Sequence, residues 1–170
     1  MSKRFEKYRK LPVYKKSEEL YELANVIVEA IKEDDQKDWL VSEIVGNAML
    51  IQAKIAGAEG GGLYSLRMQN AVLIKYAAYN MLNAVVGSEM FGLNNEDYVD
   101  LMREKIEEFR IEFVAWIHGF DKSYDIPDDW AIRYDTSTPE QEDLEKLMFD
   151  DEKFEADDFD DDDFEPGDDD

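Results

Sequence analysis

One apolar stripe constrains the fold of this chain more than any other feature. Between positions 98 and 120, large apolar side chains recur at steps of three and four residues: Tyr98, Met102, Ile106, Phe109, Phe113, Trp116 and Phe120. This spacing places them on one face of an α-helix. Asn94 or Asn95 can cap that helix, and Glu96 and Asp97 suit the positive end of its dipole. A helix with one apolar face buries it against other elements, so the stripe predicts a helical core.

Three further segments with helical patterns precede this stripe. The first begins near Pro12 and carries Leu20, Leu23, Ile27 and Ile31; the second carries Leu40, Ile44, Ala48, Ile51 and Ile55 and stops in the glycine-rich stretch 57–62. The third runs from about Leu63 to Val86. Short loops join the four segments, which makes neighbouring helices antiparallel. The sequence predicts an all-α fold, an up-down-up-down antiparallel four-helix bundle over residues 12–122.

The third helix predicts an oligomer, because it is apolar on nearly every side. A helix of this kind has to be buried all round, and a bundle core covers only one of its faces. We expect a second subunit to cover the other face, through the interface residues Val72, Tyr76, Tyr79 and Val86. The alternative is that this face packs against the segment that follows the bundle.

Charge is distributed very unevenly along the chain, whose net charge is −23. Residues 1–122 hold 16 Lys and Arg against 20 Asp and Glu, whereas residues 123–170 hold 3 against 22. We therefore expect a basic N-terminal arm at 1–11, a surface-wrapping linker with a short helix at 123–150, and a disordered acidic-aromatic tail at 151–170. Phenylalanines recur at intervals of five in this acidic part, at Phe149, Phe154, Phe159 and Phe164. They are predicted to bind a partner; the alternative is a solubilising tail.

Basic residues interleaved with aromatic ones suggest contact with RNA or DNA. Cations neutralise phosphates, and aromatic rings can stack on bases. The candidates lie mainly in the first sixteen residues, with three more on the second and third helices: Lys3, Arg4, Lys7, Arg9, Lys10, Lys15, Lys16, Lys54, Arg67 and Lys75. An acidic tail on the same chain can modulate such binding.

The residues needed for catalysis or metal binding are missing. The chain has no cysteine, and His118 is its single histidine, three residues after Ala115 rather than a glutamate. Thiolate sites, His-ligated sites and the di-iron sites of helical bundles are therefore excluded. We expect no enzyme activity, no metal and no cofactor. The longest apolar segment, 71–86, is interrupted and too short to span a bilayer, and no signal peptide opens the chain, so we expect a soluble cytoplasmic protein without membrane contact.

The segment from Ile44 to Ala56, followed by the glycine-rich loop, resembles the second helix of the bacterial four-helix-bundle family named for ribosomal-RNA intervening sequences. The opening 11–16 with Leu20 and Tyr21 looks like the first helix of that family, and 98–116 like its last. The accessory variability proteins of diversity-generating retroelements share this architecture, and the chain is similar to them at 63–64 and 116–117. The resemblance covers about residues 11–122.

This resemblance implies a homo-oligomeric bundle without catalysis, often a pentamer. For the retroelement branch it further implies a scaffold that binds a reverse transcriptase and its RNA. The leading hypothesis is an oligomeric scaffold or accessory protein associated with a nucleic-acid-processing partner. Two alternatives involve no nucleic-acid contact: a protein–protein interaction module, and an acidic mimic of nucleic acid.

Overall fold

The computed structural model of the chain describes residues 7–126, 130, 139–140 and 143. These contain four α-helices, α1 (Pro12–Ala30), α2 (Lys37–Gly60), α3 (Tyr64–Met90) and α4 (Glu96–His118), and a 3₁₀ turn at Tyr8–Lys10. No strand occurs among the described residues. The predicted four-helix bundle is confirmed.

The chain divides into two units, residues 1–134 and 135–170. The bundle lies in the first. In the second, residues 139, 140 and 143 are helical and fall where the short helix is predicted. The predicted tail, 151–170, lies outside the described residues.

Each helix of the bundle packs on two neighbours, in the cyclic order α1, α2, α3, α4. Contacts along the helices establish their antiparallel directions. Lys16 near the start of α1 binds Glu108 in the middle of α4. The amide of Asn94, just before α4, donates to the carbonyl oxygen of Ile27 near the end of α1 at 3.2 Å. The topology is up-down-up-down.

The core is formed by the predicted stripes. Leu20, Ile27, Ile44 and Ile51 are completely buried, as are Leu40, Ile55, Ile74, Met81 and Met102. Two buried serines satisfy their hydroxyls within their own helices, since Ser17 donates to the Tyr14 carbonyl at 2.6 Å and Ser88 to the Val85 carbonyl at 2.7 Å. Tyr98, Ile106 and Trp116 of the α4 stripe are half-buried against the same core.

Helix α3 continues one turn beyond its predicted end at Val86. The helix ends at Met90, and Gly92 follows with a φ of 69°. The Gly92 N–H donates to the Glu89 carbonyl and the Leu93 N–H to the Ser88 carbonyl, at 2.7 and 2.9 Å. This is a Schellman motif, in which glycine adopts the left-handed conformation and the next residue, Leu93, is buried.

The segment after α4 caps the start of α3. The Asp125 carboxylate accepts hydrogen bonds from the Ser65 N–H and hydroxyl at 3.1 and 2.6 Å, and the Tyr64 N–H donates to the Tyr124 carbonyl at 2.8 Å. These contacts satisfy N–H groups that the first turn of a helix leaves free. The Tyr124 ring also lies close to Gly62, whose φ of 140° favours glycine.

Candidate functional site

The outward surfaces of α2 and α3 expose an unusual amount of apolar side chain. We call these exposed residues the α2–α3 face. Its large apolar members are Trp39, Met49 and Leu50 from α2, with Leu66, Val72, Leu73, Tyr76, Tyr79 and Met90 from α3. The two helices are neighbours in the bundle, and Glu43, Asn80 and Asn83 line an open pocket between them beside Trp39.

The α2–α3 face is also almost uncharged. Among the 17 exposed residues of α2 and α3, only Asp38 and Lys75 carry charge. By contrast, 11 of the 19 exposed residues of α1 and α4 are Lys, Arg, Asp or Glu. The exposed residues of α1 and α4 are therefore mostly charged, whereas those of α2 and α3 are mostly uncharged.

The size of the α2–α3 face suits a protein–protein interface. Helices of 24 and 27 residues are about 36 and 40 Å long, and two adjacent helices are about 20 Å wide. The projected area is roughly 700 Å², against about 800 Å² per partner in a standard specific interface. Contiguous exposed apolar patches of more than a few hundred Å² often mark interaction sites on soluble proteins.

The predicted interface residues occupy different environments. Val72, Tyr76 and Tyr79 are 52, 67 and 57% exposed, whereas Val86 is half-buried and packs against the core. The described part of the segment after α4 contacts the start of α3 at Tyr64 and Ser65 and leaves these three exposed. The contribution of α2 to the face was not predicted. The sequence does contain a signal for this contribution, because Lys54 is the one charged residue between positions 44 and 58.

The predicted nucleic-acid-binding residues do not form one surface. Lys7, Arg9, Lys10 and Lys15 are exposed around the start of α1; Lys3 and Arg4 lie outside the described residues. Lys54 is half-buried on α2 and Lys75 is exposed on α3. The phenylalanines predicted to bind a partner, Phe149, Phe154, Phe159 and Phe164, also lie outside the described residues.

Arg67 is held by contacts with α2 and with Phe120, which follows α4. Its guanidinium donates to the Glu59 carboxylate at the end of α2 and lies 4.1 Å from the ring centroid of Phe120. The indole N–H of Trp116 donates to the same Glu59 oxygen at 2.9 Å. The Arg67 and Glu59 side chains are only 18 and 17% exposed. We call these four residues the Arg67 cluster; it links α2, α3 and the end of α4.

Lys16 is engaged in an ion-pair network between α1 and α4. It donates to Glu19 at 2.9 Å and to Glu108 at 2.8 Å, and Lys105 binds the same two carboxylates at 3.3 and 3.0 Å. Hydrogen bonds from Lys16 and Lys105 lower the pKa of the Glu108 carboxyl below its ordinary value. Hydrogen bonds to Glu108 and Glu19 raise the pKa of Lys16. Because the Lys16 ammonium already pairs with two carboxylates, it is poorly placed to bind a phosphate.

The described residues contain no candidate metal site. No group of three or more His, Asp or Glu side chains among them could hold a metal ion. His118 is exposed at the end of α4. No helix in the described part of the chain combines the length and apolar character needed to cross a membrane.

Comparison with known proteins found no matching family model and no matching curated protein. The relationship to the intervening-sequence and retroelement accessory families therefore stays a hypothesis.

Proposed function

We propose that this chain is a non-catalytic, homo-oligomeric helical scaffold that assembles through the α2–α3 face. The observation that carries this proposal is the charge contrast between the two halves of the bundle. The exposed charges of α1 and α4 are mostly acidic, so two copies that met through this side in an isologous interface would repel each other. The α2–α3 face avoids this repulsion and buries the largest apolar side chains that the bundle leaves exposed.

A pair of valines provides a matched test. Val72 on α3 and Val26 on α1 are both 52% exposed, but only Val72 belongs to the α2–α3 face. Glutamate at either position adds one negative charge to an exposed helix surface. We expect Val72→Glu to shift the full-length chain to a smaller species and Val26→Glu to leave its mass unchanged. Sedimentation velocity across a concentration series measures this directly.

Two results would reject the assembly proposal. The first is an unmodified chain that is monomeric throughout the concentration series. The second is an oligomer that Val72→Glu leaves intact, which would place the interface elsewhere. Circular dichroism of both variants checks that the helices are retained.

A second candidate function is association with a nucleic-acid-processing partner, such as a reverse transcriptase and its RNA. The observation in its favour is the exposed group Lys7, Arg9, Lys10 and Lys15 at the start of the bundle. If this group binds phosphates, the affinity of the full-length chain for single-stranded RNA falls as salt rises. Replacing Lys7 and Lys10 with glutamate should reduce the slope of log affinity against log salt by about 1 to 2. Fluorescence anisotropy measures the slope, and Arg103→Glu on α4 is the control.

A further inference from the structure

A second apolar surface lies between α3 and α4. It shares Tyr79 and Lys75 with the edge of the α2–α3 face and extends from them to α4, on the side away from α2. It is an open groove with a volume of about 410 Å³, within the range of about 300–1,000 Å³ typical of ligand sites. Phe109 and Phe113 are among the residues that line it, with Tyr79 on α3 and Val114 on α4. Its α4 wall runs from Ile106 to Val114, a length of about 12 Å at 1.5 Å per residue.

The groove carries positive charge on a strongly acidic protein. Its charged lining residues are Lys75, Arg110 and Glu107. Arg110 donates to the Glu107 carboxylate twice, at 2.7 and 2.5 Å, so these two charges offset each other. The Lys75 ammonium lies 5.9 Å from the ring centroid of Tyr79 and forms no ion pair with any described residue. The net charge of the lining is therefore positive, in a chain whose total is −23.

We propose that this groove binds a short acidic peptide segment of a partner protein, which is anchored by one large apolar side chain. The anchor packs against Tyr79, Phe113 and Val114. Carboxylates next to the anchor contact Lys75 and the outer edge of the Arg110 guanidinium. A length of about 12 Å accommodates three to four residues of extended chain at about 3.3 Å each. The groove therefore recognises an anchor with its immediate acidic neighbours.

Charge complementarity favours this ligand over a neutral or basic one. The apolar anchor supplies most of the contact area. The Lys75 ammonium at the edge of the groove favours peptides whose neighbouring side chains are carboxylates. The Lys16–Lys105 network is a useful contrast, because the carboxylates of Glu19 and Glu108 already occupy both of its lysines. Lys75 has no such internal competitor among the described residues.

The test is fluorescence anisotropy of the full-length chain with a labelled seven-residue peptide that has phenylalanine at the centre of aspartates and glutamates. Measurements at about 0.15 M salt limit the long-range repulsion between acidic peptide and acidic protein to roughly 8 Å. We expect saturable binding. A peptide with alanine in place of phenylalanine, and a peptide with amides in place of the acids, should each bind at least tenfold more weakly.

Two variants of the full-length chain locate the site. Lys75→Glu should weaken binding at least tenfold. The control is Lys15→Glu, which makes the same change in net charge at an exposed position on α1 and should weaken binding less than twofold. Both residues are exposed, so helicity by circular dichroism should be unchanged. The proposal is overturned if the acidic peptide does not bind, if the amide peptide binds equally well, or if Lys15→Glu weakens binding as much as Lys75→Glu.

Discussion

The Arg67 cluster provides the sharpest test of the side-chain arrangement described above. Arg67→Met removes the guanidinium and keeps an unbranched apolar stem over Phe120. The Glu59 carboxylate then retains only the Trp116 indole as a hydrogen-bond donor from the cluster. Glu59→Gln is the complementary change, because the amide oxygen can still accept from Trp116 while Arg67 loses its counter-charge.

The expected cost follows from burial. Removing one partner of a fully buried ion pair costs about 3–5 kcal/mol, because the other charge is left unpaired. Arg67 and Glu59 keep 18 and 17% exposure, so water can solvate part of the remaining charge, and we expect about 2–3 kcal/mol for each single variant. For a bundle of about 120 residues, 1 kcal/mol corresponds to roughly 4 °C in Tm. Each variant should therefore unfold about 8–12 °C below the unmodified chain.

Thermal unfolding followed by circular dichroism, at one fixed protein concentration, measures these shifts. The double variant should lose about 1–3 kcal/mol less than the sum of the two single losses, because the partners interact directly. Strict additivity would refute a direct Arg67–Glu59 contact. An unchanged Tm for Arg67→Met, together with weaker RNA binding, would mean that Arg67 serves nucleic acid and not the bundle.

Two further predictions concern α2 and the α1–α4 network. Gly46 lies within α2, and nothing lies within 4 Å of the position that a Cβ would occupy. Gly46→Ala should therefore raise the unfolding free energy by about 1 kcal/mol through helix propensity alone, as measured by chemical denaturation at low protein concentration; a decrease would show that the position is sterically constrained. The pKa of Glu108 is lowered from 4.5, so its ion pairs stabilise the fold above that pH, and their contribution is lost as the pH falls through the lowered value. Accordingly, Glu108→Gln should lower Tm at neutral pH and progressively less in acid, whereas exposed Glu104→Gln should have little effect at any pH.

The helices and the core could be predicted from the sequence because their signals are local. The 3- and 4-residue spacing of the α4 stripe fixes which side of that helix is buried, and Pro12 and Asn95 mark helix starts that the structure confirms. The end of α3 that the sequence predicts, Val86, lies one turn before the observed end at Met90. Val86 is the last residue of an apolar run, but the actual stop depends on a left-handed glycine, Gly92, followed by a buried leucine.

The roles of individual charged residues could not be predicted in the same way, because they depend on contacts between distant segments. Arg67 and Glu59 are close in sequence, but Trp116 and Phe120 complete their environment from the end of α4. From the sequence, Arg67 is a cation that could bind phosphate. In the structure its guanidinium donates to the Glu59 carboxylate instead. Lys16 is likewise paired with Glu108, 92 residues away in the sequence. The sequence alone does not show which basic residues the fold pairs with carboxylates.

Salt separates the two candidate functions, because it acts on them with opposite sign. Copies that meet through the α2–α3 face bury apolar surface, while the charges of α1 and α4 and the net charge of −23 oppose their approach. Screening to roughly 8 Å at physiological ionic strength weakens that repulsion, so added salt should strengthen assembly. RNA binding by the exposed lysines instead releases counterions and weakens as salt rises. A chain whose mass increases with salt over the range in which its RNA affinity falls would perform both functions through different surfaces. If mass and affinity fall together, ionic contacts hold the oligomer, and the α2–α3 face is not its interface.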